Sequence, residues 1–205
     1  MSSTPPTSTR SLPPEPIDGH VRACLDYVRR AVGVELDFSP ETLPVLDHYV
    51  SGVRAELVSR PELLLLTVNA VGAYFGEVVR ARIPGFWRLP SANVHDWSVC
   101  SSVVFLSINS MGVAYDAIYE GNEHDGPRSM LRVAAEDREY LSRRLETLPP
   151  VPEDEFYLFT TRFEVIEVAA EALRARLEES GYSETEYSEE DYEAETRPVG
   201  FDPLN

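Results

Sequence analysis

A chain of 205 residues that is 43% apolar and 10% aromatic has material for one ordinary core, since domains run to roughly 100–200 residues. Its 35 acidic against 18 basic residues leave a net charge of −17. That field repels phosphate backbones and anionic bilayers, so neither nucleic acid nor a membrane is an expected partner.

Every basic residue is Arg, with no Lys and no Gln anywhere. Codon bias in a GC-rich genome accounts for this better than arginine chemistry does, because bidentate recognition needs only a few arginines. Cys24 and Cys100 are too few for a disulfide framework in a chain with its own core, and their apolar neighbours suggest buried free thiols. The opening MSSTPPTSTRSLPPEP lacks the apolar run of a secretory signal, and no apolar stretch reaches the ~18–20 residues of a membrane span. A cytoplasmic location is therefore expected.

Residues 1–17 are rich in Ser, Thr and Pro and read as a disordered leader. Asp18 is placed to cap a first helix carrying Val21, Cys24, Leu25 and Val28 at helical spacing, closed by Gly33. Ser39 followed by Pro40 starts a second, with Leu43, Val45, Leu46, Tyr49 and Val50 on its apolar side. Ser59-Arg60-Pro61-Glu62 starts a third, which runs into VNAVGAYFGEVVRARIPGFW at Val68 to Trp87.

Inside that third helix Gly72 and Gly76 lie one turn apart on one face. Each costs about 1 kcal/mol against alanine in a helix interior, so two of them imply a neighbour too close to tolerate a β-carbon. Leu64, Val68, Val71, Phe75 and Val78 form an ordinary core stripe on the other side, which makes the helix central.

Pro84 and Gly85 end it. Phe86 to Leu89 and Trp97 to Ile108 are rich in β-branched and aromatic residues and predict two or three short antiparallel strands around a loop at Pro90 to Asp96. Met111 to Tyr119 fits a helical face slightly better than a strand. A loop from Gly121 to Pro127 precedes a helix within Ala134 to Leu148. After the breaker Pro149-Pro150-Val151-Pro152, a last long helix is expected over about Glu153 to Ser180, with Phe156, Phe159 and Phe163 in the core. From Glu178 onward ten acidic residues face one Arg, so this end holds −9 of the −17. Residues 182–205 read as a disordered, self-repelling tail, with Tyr182, Tyr187 and Tyr192 evenly spaced in it and an apolar end at Phe201 and Leu204.

The run Gly72-Ala73-Tyr74-Phe75-Gly76-Glu77-Val78-Val79-Arg80 followed by Gly85-Phe86-Trp87 resembles a helix-then-tryptophan pattern of small bacterial domains of unknown function. The match covers about 20 residues. The resemblance implies a helix packed on a hairpin and carries no activity.

Glu77 stands between Gly76 and an apolar turn, where Arg80 at i+3 or Tyr74 at i−3 could satisfy it. Among His20, His48, His95 and His124 no metal-ligand spacing appears, although His95-Asp96 and His124-Asp125 could converge on a metal or on acid–base chemistry. Cys100 with His95 could pose as nucleophile and base, but no orienting group is visible. No nucleophile elbow, phosphate loop or dinucleotide fingerprint is present.

The expectation is an α+β fold: a mainly helical single domain over residues 18–181 with a small antiparallel β-sheet. It is expected to be a non-enzymatic, protein-binding protein of adaptor, immunity-like or cargo type, without cofactor or metal. Its partner would be another protein, engaged through Glu77, Arg80, Trp87, Phe201 and Leu204 and in part through the acidic tail. Two alternatives stay open: a small enzyme or metal-binding domain using Glu77 and the His-Asp loops, and a self-assembling structural subunit.

Overall fold

The computed structural model describes residues 12–181 and 185–194, and the backbone of 199–201. It is a mainly helical α+β domain. Helix α1 (Glu15–Val32) is followed by α2 (Leu43–Ser59) and α3 (Pro61–Arg82). Strands β1 (Gly85–Arg88), β2 (Ser98–Ser101) and β3 (Leu106–Ile108) come next, then α4 (Ser110–Tyr119), β4 (Leu131–Val133), α5 (Arg138–Leu145), α6 (Phe159–Glu179), α7 (Glu189–Ala194) and β5 (Val199–Phe201). The strands form an antiparallel sheet in the order β1-β2-β3-β4-β5.

Helix α3 is the hub, buried without a break from Ala70 to Arg80. It packs against α1, α2, α4 and α6 and against β2. By length and composition α3 could cross a membrane, yet 72% of its apolar window is buried inside the protein. The two glycines explain how so many elements reach it. A β-carbon on Gly72 would lie 2.5 Å from Met111 Sδ and 3.0 Å from Ser110 O, so α4 rests directly on α3 backbone. On Gly76 it would lie 2.5 Å from two ring carbons of Trp87 and 3.0 Å from a Val99 methyl, so the sheet does the same.

Strand register follows from the same contact. Trp87 pairs with Val99, Val99 with Ile108 and Ile108 with Leu131. Side chains directly opposite share a face, and this apolar row is the one the helices cover. Phe86, Arg88, Ser98, Cys100, Ser107 and Arg132 alternate onto the outer face.

Several boundaries differ from expectation. Helix α1 begins at Glu15, with Pro14 as its N-cap, and not at an Asp18 cap. Pro16 suits the first turn, where an amide donor is not needed, and Asp18 pairs with Arg22 at 2.7 Å instead. Ile17 is fully buried, so order starts inside the expected leader; residues 1–11 lie outside the described part. Ser39 makes no side-chain cap, and Pro40–Thr42 is one 3-10 turn before α2. The loop ahead of it is anchored on α3: Tyr74 Oη accepts the Phe38 amide at 3.1 Å and lies 2.9 Å from Thr42 Oγ1.

The last long helix starts at Phe159, not near Glu153. Its start is fixed by Asp47 on α2, whose carboxylate accepts Phe159 N at 2.7 Å, Thr160 N at 3.2 Å and Thr160 Oγ1 at 2.6 Å. Phe156 and Tyr157 turn back over the Arg162 guanidinium, 4.9 and 5.0 Å from their ring centroids, instead of joining a helical core stripe. Burial pushes the Asp47 carboxyl up from its ordinary value while these bonds pull it down. Asp47→Ala leaves two helix-terminal amides without acceptors and is expected to cost about 1–2 kcal/mol in urea unfolding, with Asp47→Asn losing less.

A second expected outcome concerns pH. Desolvation lowers the pKa of His20, which sits on α1 with its ring 6.1 Å from Trp97. A folded-state pKa below the unfolded value near 6.5 favours the neutral ring. Its contribution is complete above that value and is lost as pH falls through the folded pKa. Melting temperature should therefore drop more steeply below about pH 6.5 for the native chain than for His20→Gln; parallel curves would remove His20 as the cause.

Candidate functional site

Glu77, Arg80 and Trp87 form one buried polar cluster where α3 meets β1. Glu77 is fully buried, and Arg80 and Trp87 are each 8% exposed. Glu77 Oε1 accepts from Arg80 Nη1 at 2.6 Å and from Trp87 Nε1 at 2.7 Å. Arg80 Nε donates to Gly85 O at 3.3 Å, across the turn that ends α3. The i+3 partner expected for Glu77 is present; Tyr74 is occupied by the α1–α2 loop. All three side chains are buried between α3 and β1, so contact with a partner would require the sheet to lift off α3.

The two histidine loops meet at Tyr115, whose ring contacts both His95 and His124, but each histidine keeps its own surroundings. His124 Nε2 lies 2.9 Å from Asp116 Oδ1, and not on the adjacent Asp125. Asp116 also accepts the Ser129 amide at 3.0 Å and the Ser129 hydroxyl, with Arg128 Nη1 at 3.6 Å. The His124 ring is stacked on Tyr115 at 5.1 Å and tilted against Tyr119 at 5.2 Å. Asp116 thus binds the whole loop 121–130 to α4. Gly112 allows the close approach, since a β-carbon there would lie 2.3 Å from Arg128 O. His95 meets Tyr115 edge-on at 6.3 Å and is exposed, and Asp96 takes the Ser91 hydroxyl at 2.7 Å. Among the described residues no three His, Cys, Asp or Glu side chains are grouped to hold a metal ion. Cys100 is buried, its thiol pushed up to about 11 mainly by desolvation, which suits a packing residue better than a nucleophile.

Residues 185–194 were expected to repel one another as part of a disordered tail; they are packed against the outer face of the sheet. Tyr187 N donates to Ser102 O at 2.8 Å. Asp191 Oδ2 reaches back to accept the Ser188 amide at 2.7 Å and hydroxyl at 2.8 Å, which fixes the start of α7. Tyr192 then enters the turn between β2 and β3. Its hydroxyl accepts Leu106 N at 3.0 Å and points at Ser101 O, 2.8 Å away, with Val104 O and Leu106 O at 3.1 and 3.0 Å. Its ring stacks on Phe105 at 4.4 Å and meets Phe86 edge-on at 5.9 Å. Tyr192, Phe105 and Cys100 make a small apolar cluster separate from the main core.

The chain then adds β5 beside β4, pairing Leu131 with Phe201 and Val133 with Val199. Phe201 thus lies on the sheet edge, with only its backbone described, and Leu204 falls outside the described residues.

Comparison with protein-family models, curated proteins and solved structures finds no match. The chemistry of the chain is therefore read from its own surfaces. The outer sheet face combines an apolar cluster, a hydrogen-bonded edge and acidic α7, held through two tyrosines. Phe201 and Leu204 were expected to bind, Tyr187 and Tyr192 were noted only for their spacing within an expected disordered tail, and the outward arginines Arg88 and Arg132 carried no sequence signal. The even spacing of the tail tyrosines was the available signal.

Proposed function

We propose that the protein is a non-enzymatic, cytoplasmic binding protein that engages another protein by exchanging its acidic C-terminal segment on the outer face of the sheet. The docking of Tyr192 carries this reading. Because its cluster is separate from the main core, the segment can leave without opening the packing around α3. Release would bare Phe86, Phe105 and Cys100 and free the edge of β4, a surface suited to receiving a strand from a partner. Adaptor, immunity-like and cargo roles are all compatible with such an exchange. Kinship with small bacterial domains belongs to the same reading and rests on the sequence pattern of residues 72–87 alone.

The test is affinity capture with the full chain, with Tyr192→Ala and with a chain ending at Gly181, followed by reconstitution with the purified partner. Tyr192→Ala loosens the covering segment, so about tenfold tighter binding is expected, the equivalent of 1.4 kcal/mol. A partner held equally by all three chains would move binding to the folded body, and no partner at all would defeat the proposal.

A further inference from the structure

The outer face of the sheet also carries a cleft of about 220 Å³ beside α7, lined by Arg88, His95, Ser98, Ser107 and Arg132 among others. Register explains why these residues meet. Arg88 is opposite Ser98, and Ser107 is opposite Arg132, and all four alternate away from the buried apolar row. Arg88 on β1 and Arg132 on β4 are three strands apart, and Arg132 lines up through Ser107 and Cys100 with Phe86, two residues from Arg88. At ~4.8 Å per strand and ~3.3 Å per residue the two lie roughly 16 Å apart, with the two serines on the floor between.

The cations are incompletely used. Arg88 Nε is buried and has no hydrogen-bond partner among the described residues. Its guanidinium touches an acid only at long range, 3.8 Å from Glu193 Oε1 on α7. Arg132 is exposed and makes no side-chain hydrogen bond or ion pair among the described residues. Asp96, the acid in the cleft wall, accepts the Ser91 hydroxyl at 2.7 Å. In a chain of net charge −17, this cleft sets two under-used arginines and two serine hydroxyls against two acids, Asp96 in its wall and Glu193 beside it.

We propose that this cleft binds a small phosphate-bearing ligand between Arg88 and Arg132, and that Glu193 of the C-terminal segment competes for the same arginine. Phosphate fits better than carboxylate because it offers three acceptor oxygens to donors arriving from several directions, and guanidinium forks match its geometry. The volume admits a small molecule, being several times the ≈30 Å³ share of one water. A polyanion such as nucleic acid would be repelled by the rest of the surface. The inference depends on the docked position of α7, and not on the identity or existence of a protein partner.

The experiment uses the full chain and amide chemical shifts, titrated separately with inorganic phosphate and with succinate at constant ionic strength. Saturable shifts at Ser98 and Ser107 with phosphate are expected. Affinity should fall at least tenfold in Arg132→Ala, an exposed position whose replacement leaves the packing intact, and should rise about two- to fivefold in Glu193→Gln. A thermal melt of each variant confirms that it is folded. Absence of saturation, or shifts that Arg132→Ala leaves unaltered, would overturn the site. Saturation by succinate and not by phosphate would overturn the phosphate assignment. The protein partner is absent from both titrations, so failure here does not bear on the strand-exchange reading.

Discussion

Glu77→Ala is expected to destabilise the domain by about 3–5 kcal/mol, the range for removing one member of a buried ion pair. The carboxylate is fully buried and holds both Arg80 at 2.6 Å and the Trp87 indole at 2.7 Å. Its removal leaves a guanidinium in the interior without that counter-charge and an indole N–H without its acceptor. Against a typical net stability of about 5–15 kcal/mol, this is the largest single effect expected outside the apolar core. Glu77→Gln keeps an acceptor for Trp87 and loses the charge, so it should fall between Glu77→Ala and the native chain. Exchanging both members for apolar residues, Glu77→Leu with Arg80→Met, should cost less than Glu77→Ala alone, because no charge is then stranded. Urea unfolding followed by tryptophan fluorescence measures all four chains. A cost below about 1 kcal/mol for Glu77→Ala, the range of an exposed pair, would contradict the buried cluster.

Gly76→Ala is expected to lower stability by about 1–3 kcal/mol even though alanine is the better helix former. The new methyl would sit 2.5 Å from the Trp87 ring, which cannot step aside without breaking its bond to Glu77. Gly72→Ala should also destabilise, since the Met111 thioether at 2.5 Å can swing away but the α4 backbone at Met111 Cα and Ser110 O, both at 3.0 Å, cannot. Gly52 on α2 supplies the internal control, because nothing lies within 4 Å of a β-carbon there. Gly52→Ala should therefore gain about 0.5–1 kcal/mol from helix propensity. Opposite signs at positions 76 and 52 in matched thermal melts are the expected result; a gain at both would show that the sheet does not pack on bare α3 backbone.

The central helix, its glycine face and the Glu77–Arg80 pair were legible because they depend on spacing within one element, where 3.6-residue periodicity fixes neighbours. Even so, Trp87 as the second partner of Glu77 was not, since it arrives across a turn whose geometry no local pattern encodes. Strand β4 escaped notice because the alternation Leu131-Arg132-Val133 is too short to separate from loop. The acidic stretch misled for a related reason. Its composition predicts solvation, but two tyrosines supply all the side-chain anchoring needed when a shallow apolar cluster awaits them on the sheet. The cleft between Arg88 and Arg132 could not be read at all, because it exists only through the register of four strands.

Cys100 reports directly on whether the C-terminal segment is a separable cover on the outer face of the sheet. The thiol lies under Tyr192 and Phe105, held up to about 11 by burial, while Cys24 is packed in the main core. Thiol labelling at neutral pH, with the two cysteines separated by peptide mapping, should find both protected in the native chain. In Tyr192→Ala, Cys100 should become reactive at least tenfold faster with helix content unchanged, and Cys24 should stay protected. Equal rates for Cys100 in both chains, or exposure of both cysteines together, would mean that the segment is not a separable cover.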